Sequence, residues 1–113
     1  MVAVSRNIGR KRALEMLLTG DPIDAPTALA WGLVNRIVPP EELDGAVDAL
    51  AARITRSSAA VVALGKRAFY AQDGLVEDDA YSVAAPVMGA NAALPDAREG
   101  ITAFLEKRPP VWP

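Results

Sequence analysis

Any chemistry in this chain must come from carboxylates, lysine, tyrosine, hydroxyls or backbone amides, because its 113 residues include neither histidine nor cysteine. Ser–His–Asp and Cys–His catalysis are therefore impossible, and the usual zinc ligand sets are missing. Paired carboxylates occur at Glu41-Glu42 and Asp78-Asp79, a pattern that could suggest a general acid and base. Neighbours in sequence point in different directions on a helix, however, and both pairs stand where helices are expected to begin, where acids stabilise the dipole. They read as helix-start charges. Arg6, Arg10, Lys11 and Arg12 form the basic cluster of the chain and could draw phosphate or nucleic acid. With no aromatic residue interleaved and a net charge of −2, a solvated helix start is the better reading. Lys66-Arg67 ahead of Phe69-Tyr70 reads in the same way, as surface charge beside helical core. Tyr70, Tyr81 and Trp112 carry no motif, and Trp112 is expected to seal the end of the terminal segment. No catalytic residue and no metal ligand is assigned, and no cofactor is expected.

The elements that would position these groups are helical. Arg10 to Leu18 places Ala13, Leu14, Leu17 and Leu18 on one face and stops at Gly20. Asp24 is a good N-cap for a short helix through Trp31, which Gly32 closes. Val34–Val38 is β-branched but brief, so it reads as an extended link or a short edge strand. Pro40 suits a first helical position, and residues 40–56 carry the clearest stripe: Leu43, Ala46, Val47, Leu50, Ala51 and Ile54. Ser57 or Ser58 can cap a helix to about Ala71 that packs through Val61, Leu64, Ala68 and Phe69. Leu75–Ala92 is helical in period but holds Pro86, where an interior proline costs ~3 kcal/mol, so a kink or two shorter helices are expected. Pro95-Asp96 opens a last helix with Ala97, Ile101, Phe104 and Leu105 on one face, ended by Pro109-Pro110.

Composition agrees. Apolar residues make up 51% of the chain but aromatics only 5%, and 22 alanines favour helix throughout. The length leaves room for one small domain. A mean hydropathy of +0.16 with so few large core residues implies that some apolar faces meet another protein body. No apolar run approaches a membrane span, no signal-peptide core opens the chain, and the absence of cysteine suits a reducing compartment. A soluble, cytoplasmic protein that binds neither membrane nor nucleic acid is the expectation.

Three stretches together resemble the crotonase (enoyl-CoA hydratase/isomerase) superfamily. Arg6-Asn7-Ile8-Gly9 through Ala13, Met16, Leu18, Thr19 and Gly20 is similar to the family's R-x-[VI]-G-x-x-x-A-x-x-[LM]-x-L-T-G segment. Ile23-Asp24-Ala25 through Ala28, then Gly32-Leu33-Val34-Asn35-Arg36-Ile37-Val38-Pro39, is similar to I-x-A-x-x-A-x-x-x-G-L-V-x-x-V-x-P. Glu99-Gly100-Ile101-Thr102-Ala103-Phe104-Leu105-Glu106-Lys107-Arg108 is similar to the closing E-G-x-x-A-F-x-E-K-R. The likeness runs from about Ser5 to Trp112.

That resemblance implies a mainly α chain, the C-terminal helical segment of a ClpP/crotonase-like fold with at most one short strand. It also implies acyl-CoA (fatty acid) chemistry in trimers or paired trimers. In the family, the thioester carbonyl sits between two backbone N–H groups on an N-terminal ββα spiral, and hydratases add two glutamates there. A Gly-Gly turn precedes the first matching segment, where this chain has Met1-Val2-Ala3-Val4. One lost oxyanion donor costs ~10²–10³ in rate, so residues 1–113 alone are expected to be inactive. Phe104, Lys107 and Arg108 match residues that lie near the CoA nucleotide in relatives, where an aromatic ring can cover adenine and cations can meet phosphate. The plainer reading makes Phe104 core and the two cations favourable charges at a helix C-terminus. Expected partners are an N-terminal crotonase half or further copies of the chain, with acyl-CoA bound only in a complete assembly. The rival expectation is a non-catalytic helical oligomerisation module that pairs with a crotonase-type subunit.

Overall fold

The computed structural model describes residues 2–113. They form seven α-helices and one 3₁₀ turn, with no strand among the described residues. The helices are α1 (Val2–Asn7), α2 (Arg10–Thr19), α3 (Ala25–Trp31), α4 (Leu43–Thr55), α5 (Ala59–Gln72), α6 (Glu77–Ala92) and α7 (Pro95–Leu105), with the 3₁₀ turn at Pro40–Glu42. The chain separates into two compact units, Met1–Ala46 and Val47–Pro113.

In the first unit α1 packs on α2. Helix α1 was not foreseen, since Val2 and Val4 are poor helix formers without a repeating stripe. Local bonds hold it, Asn7 Nδ2 donating to the Ala3 carbonyl at 2.7 Å and Ser5 Oγ to that of Val2 at 3.2 Å. Helix α2 ends at Gly20, whose φ of 73° lets its N–H reach the Met16 carbonyl. Asp24 caps α3 as expected, accepting from the Thr27 N–H at 2.8 Å. The Thr27 hydroxyl and backbone N–H hold the Asp24 carboxyl below its usual range. At the other end, Gly32 (φ 80°) donates to Leu29 and Leu33 donates to Ala28, the paired bonds of a Schellman closure. Val34–Val38 is irregular rather than a strand, having no partner strand among the described residues to take its N–H and C=O groups. The helix expected over 40–56 is divided: Pro40, lacking an N–H, starts a tight 3₁₀ turn, and the α-helical ladder begins at Leu43.

In the second unit α5 packs on α6 and α6 on α7. Val61, Leu64 and Ala68 of α5 are half-buried, as are Ala80, Val83, Ala84 and Val87 of α6. Phe69, assigned to the core by its spacing, is exposed instead. Helix α6 runs unbroken through Pro86. A proline there removes a single i→i−4 donor, and fifteen other residues sustain the helix around it. Helix α7 stops at Leu105, three residues before the expected end, and turns at Lys107.

The core is thin. Among the described residues Ile8, Ala13, Ala28 and Ala103 are the buried apolar ones, whereas Val47, Met88, Ile101, Phe104 and Leu105 are more than half exposed. The accessible surface is 9043 Å². Two independent bodies sharing this mass would together expose only about 7,200 Å². The surplus exceeds the roughly 800 Å² that one partner contributes to an ordinary stable interface. The apolar faces read from composition are therefore present and uncovered, including the α4 stripe, of which Leu43, Val47, Leu50 and Ile54 are all exposed.

Candidate functional site

The richest concentration of chemistry lies in the second unit, around the N-termini of α5 and α7 and the chain leaving α7. A groove of about 610 Å³ is lined by Val61, Met88, Ile101, Phe104, Leu105 and Trp112, with Ser57, Ser58, Asn91 and Asp96 supplying polar atoms. The four apolar positions read on one face of α7, Ala97, Ile101, Phe104 and Leu105, all line this groove. Ile101, Phe104 and Leu105 form the open wall, and Ala103 and Asp96 are the residues the fold buries.

Ser58 and Asp96 tie the base of the groove together. Ser58, 1% exposed, caps α5 by accepting the Val61 N–H at 3.0 Å and donates its hydroxyl hydrogen to Asp96 Oδ2. Asp96, 9% exposed, sits one residue past Pro95 in the first turn of α7, where the helix dipole favours a carboxylate. One hydroxyl thus links the starts of two helices. Asn91 of α6 presents a buried Oδ1 with no hydrogen-bond partner.

The three residues singled out as CoA contacts have separate fates. Phe104 lines the groove and is 81% exposed, so it is not core. Arg108 is engaged by the fold itself. Its Nη1 and Nη2 donate to the two Glu99 oxygens at 2.6 and 3.0 Å, Nε donates to Glu106 at 2.6 Å, and Nη1 also reaches the Pro109 carbonyl. This fork is the strong geometry for an arginine–carboxylate pair. Glu99 further accepts the Val111 N–H at 2.7 Å. The Arg108 bonds foremost, then that of Val111, hold the Glu99 carboxyl down to about 2. The same pairing raises the Arg108 pKa. Lys107 lies between, exposed, with φ 54°. It occupies the left-handed position of a Schellman closure in which Lys107 donates to Phe104 and Arg108 to Ala103.

Beyond Arg108 the chain doubles back. Trp112 donates its indole N–H to the Arg56 carbonyl at 2.7 Å, and its ring lies 3.7 Å from where a Cβ on Gly100 would stand. Trp112 does seal the terminal segment. Glu99 was quoted within a motif but given no role. It and Arg108 are nine positions apart, which is not a helix-neighbour spacing, and only the reversal at Lys107 brings them together. The Ser58–Asp96 bond spans 38 positions and has no local signature.

The remaining candidates stay apart from this site. Glu41 and Glu42 occupy the exposed 3₁₀ turn, and Asp78 and Asp79 the first turn of α6. Arg6, Arg10, Lys11 and Arg12 are exposed, and the Arg12 guanidinium lies 5.3 Å from the centre of the Trp31 ring. Among the described residues, no three Asp or Glu side chains gather as a metal site would need.

The sequence profile of enoyl-CoA hydratase/isomerase matches residues 1–113. The enoyl-CoA hydratase domain-containing protein 3 of Xenopus laevis, whose name describes it as mitochondrial, is 47% identical over 111 residues. Those residues cover 98% of this chain and 38% of the relative. The enoyl-CoA hydratase of Mycobacterium smegmatis superposes with a TM-score of 0.94 at 47% identity, over 98% of this chain and 43% of that one. The human enoyl-CoA hydratase domain-containing protein 3 gives a TM-score of 0.93 at 48% identity, over 98% and 44%. The chain thus spans about two fifths of the length of the relatives it matches, in a mainly helical portion of their fold. Matched by the profile from end to end and by these relatives over nearly all its length, the chain belongs to the enoyl-CoA hydratase/isomerase family.

Proposed function

We propose that residues 1–113 supply the helical part of an acyl-CoA hydratase or isomerase, and that they do not turn over a thioester alone. The observation that carries this is the uncovered apolar surface, Met88, Ile101, Phe104 and Leu105 around the groove and the Val47–Ile54 stripe of α4. Such faces suit packing against the remaining portion of the family fold, whether in one polypeptide or between polypeptides. The groups gathered around the groove also favour the reading. Ser58 and Asp96 are spent on each other, and Glu99 on Arg108. In a complete assembly, Phe104 and Lys107 meet the nucleotide end of CoA, the ring against adenine and the ammonium against phosphate. Arg108 was assigned with them, but four of its five N–H donors are already committed. A reducing, cytoplasm-like compartment is part of the same proposal.

Size-exclusion chromatography and circular dichroism on the purified chain, followed by a crotonyl-CoA hydration assay, test it. Helical protein without hydration alone, and with hydration once a crotonase-type N-terminal half is added, is the expected result. Enzyme-like turnover by the chain alone would overturn it. The same exposed faces favour a second reading, a non-catalytic module pairing with a crotonase-type subunit. Under it, a stable complex forms with an intact subunit and hydration by that subunit is unchanged.

A further inference from the structure

Two cations stand side by side where α7 ends, and the fold treats them oppositely. Arg108 is consumed: Glu99 takes two of its nitrogens and Glu106 a third. Lys107 has no ion pair among the described residues. It also holds a backbone conformation that side chains resist. The described residues have four positive-φ positions, at Gly20, Gly32, Gly74 and Lys107, and three of them are glycine. The Schellman closure at Lys107 would form more easily with glycine. A lysine kept at a strained position next to an exposed aromatic points to a use for its ammonium.

What fixes that position is Glu99. It binds the residue after Lys107 through the guanidinium fork, and the returning strand of chain through the Val111 N–H. Arg108 in turn holds Glu106, the residue before Lys107. Both flanks of the lysine are therefore anchored to one carboxylate–guanidinium clamp. We propose that Glu99 is a positioning residue. By drawing Arg108 into the fold and closing the turn, it leaves Lys107 as the free cation of this helix end, set beside Phe104 to receive a phosphate of the CoA nucleotide. This rests on the reading above that Phe104 and Lys107 meet CoA, and it reassigns Arg108 from ligand contact to clamp.

The test is a chemical-shift titration with CoA, up to millimolar concentration, of the chain assembled with a crotonase-type N-terminal half, with Trp112 emission and far-ultraviolet dichroism as checks on tail and helix. Shifts at Phe104 and Lys107 should saturate, and Lys107→Gln should weaken binding about tenfold, the scale of one lost charge-assisted contact. Glu99→Gln should weaken it by a similar factor, about three- to tenfold. In the Lys107→Gln background, Glu99→Gln should add nothing, because its effect acts through that lysine. Arg108→Gln opens the clamp from the other side and should reproduce the loss while adding nothing in the Lys107→Gln background, whereas an arginine that touched CoA itself would add to it, which keeps the test decisive if Glu99→Gln folds poorly. No saturable binding, or Lys107→Gln and Phe104→Ala without effect, removes the CoA reading and the positioning role with it. Normal loss in Lys107→Gln with unchanged or tighter binding in Glu99→Gln removes the positioning role alone. Tighter binding would mean that Glu99 merely competes with the ligand for Arg108.

Discussion

Replacing Ser58 with alanine should cost this chain far more than a surface serine would. Two separate losses add. The hydroxyl caps α5 through the Val61 N–H, and an N-cap serine changed to alanine costs about 1 kcal/mol, within a range of roughly 0.5–2. It also donates to Asp96, a carboxylate only 9% exposed, and stranding a buried acceptor costs about 1–3 kcal/mol. The expected sum is about 2–4 kcal/mol, a large share of the roughly 6–17 kcal/mol typical of a chain this long. Ser58→Gly separates the terms, because glycine caps nearly as well as serine, within a few tenths of a kcal/mol, but donates nothing to Asp96. Urea unfolding followed by helical dichroism gives each value, with the alanine variant's midpoint falling by about 1–2 M at an ordinary slope. In an Asp96→Ala background, Ser58→Ala should then cost only the capping share, leaving a coupling of about 1 kcal/mol or more. A loss below about 0.5 kcal/mol, or two substitutions that simply add, would show that the hydroxyl does not join the two helix starts.

Lys107→Gly should stabilise the fold by up to about 1 kcal/mol, since it relieves a left-handed side chain (φ 54°); thermal or urea unfolding measures it, and a loss refutes the strain. Gly32→Ala should do the reverse, costing about 1–2 kcal/mol at φ 80°, and the cost is conformational because the nearest atom to the new Cβ, Asn7 O, is 4.0 Å away. Asn91→Leu should raise stability by about 1 kcal/mol by removing a buried acceptor without a partner. The Glu99 clamp should release in acid. Its folded pKa lies below the unfolded value, so its contribution is whole above about 4.5 and is lost as pH falls toward about 2. Trp112 emission should move in that window, less so in high salt because the pair is partly exposed, and should not move there in Glu99→Gln.

Much of the architecture was legible because helix boundaries are local chemistry. Asp24, Gly20, Gly32 and Ser58 each act within four residues of themselves, and each stands where its residue type says a helix should start or stop. The misreadings are of other kinds. Helix α1 has neither a stripe nor a capping residue, and side-chain bonds inside one turn decide it. Of the two outcomes read at Pro86, the division into two shorter helices does not occur, since a helix of 16 residues with a packed face absorbs one missing donor. Periodicity found the apolar positions of α7 but could not tell which side the protein covers. Of the site, Phe104, Lys107 and Arg108 were visible as residue types, and the division of labour between the two cations was not.

That division turns on chain reversal. A helix running on to Arg108 would place Lys107 and Arg108 as two similar solvated cations, about a hundred degrees apart around the axis. The turn at Lys107 instead sends Arg108 back toward Glu99, nine residues earlier, and carries Trp112 onto Gly100. The indole ring lies against α7 at Gly100, 3.7 Å from where a Cβ would stand, which is ordinary contact distance. The short stretch from Glu99 to Arg108 therefore encodes a complete device: a carboxylate, a seat for the ring, an exposed aromatic, a strained lysine and the arginine that ties the turn. Removing the carboxylate should loosen the lysine, the ring and the tail together, whereas removing the lysine should leave the ring and the tail in place.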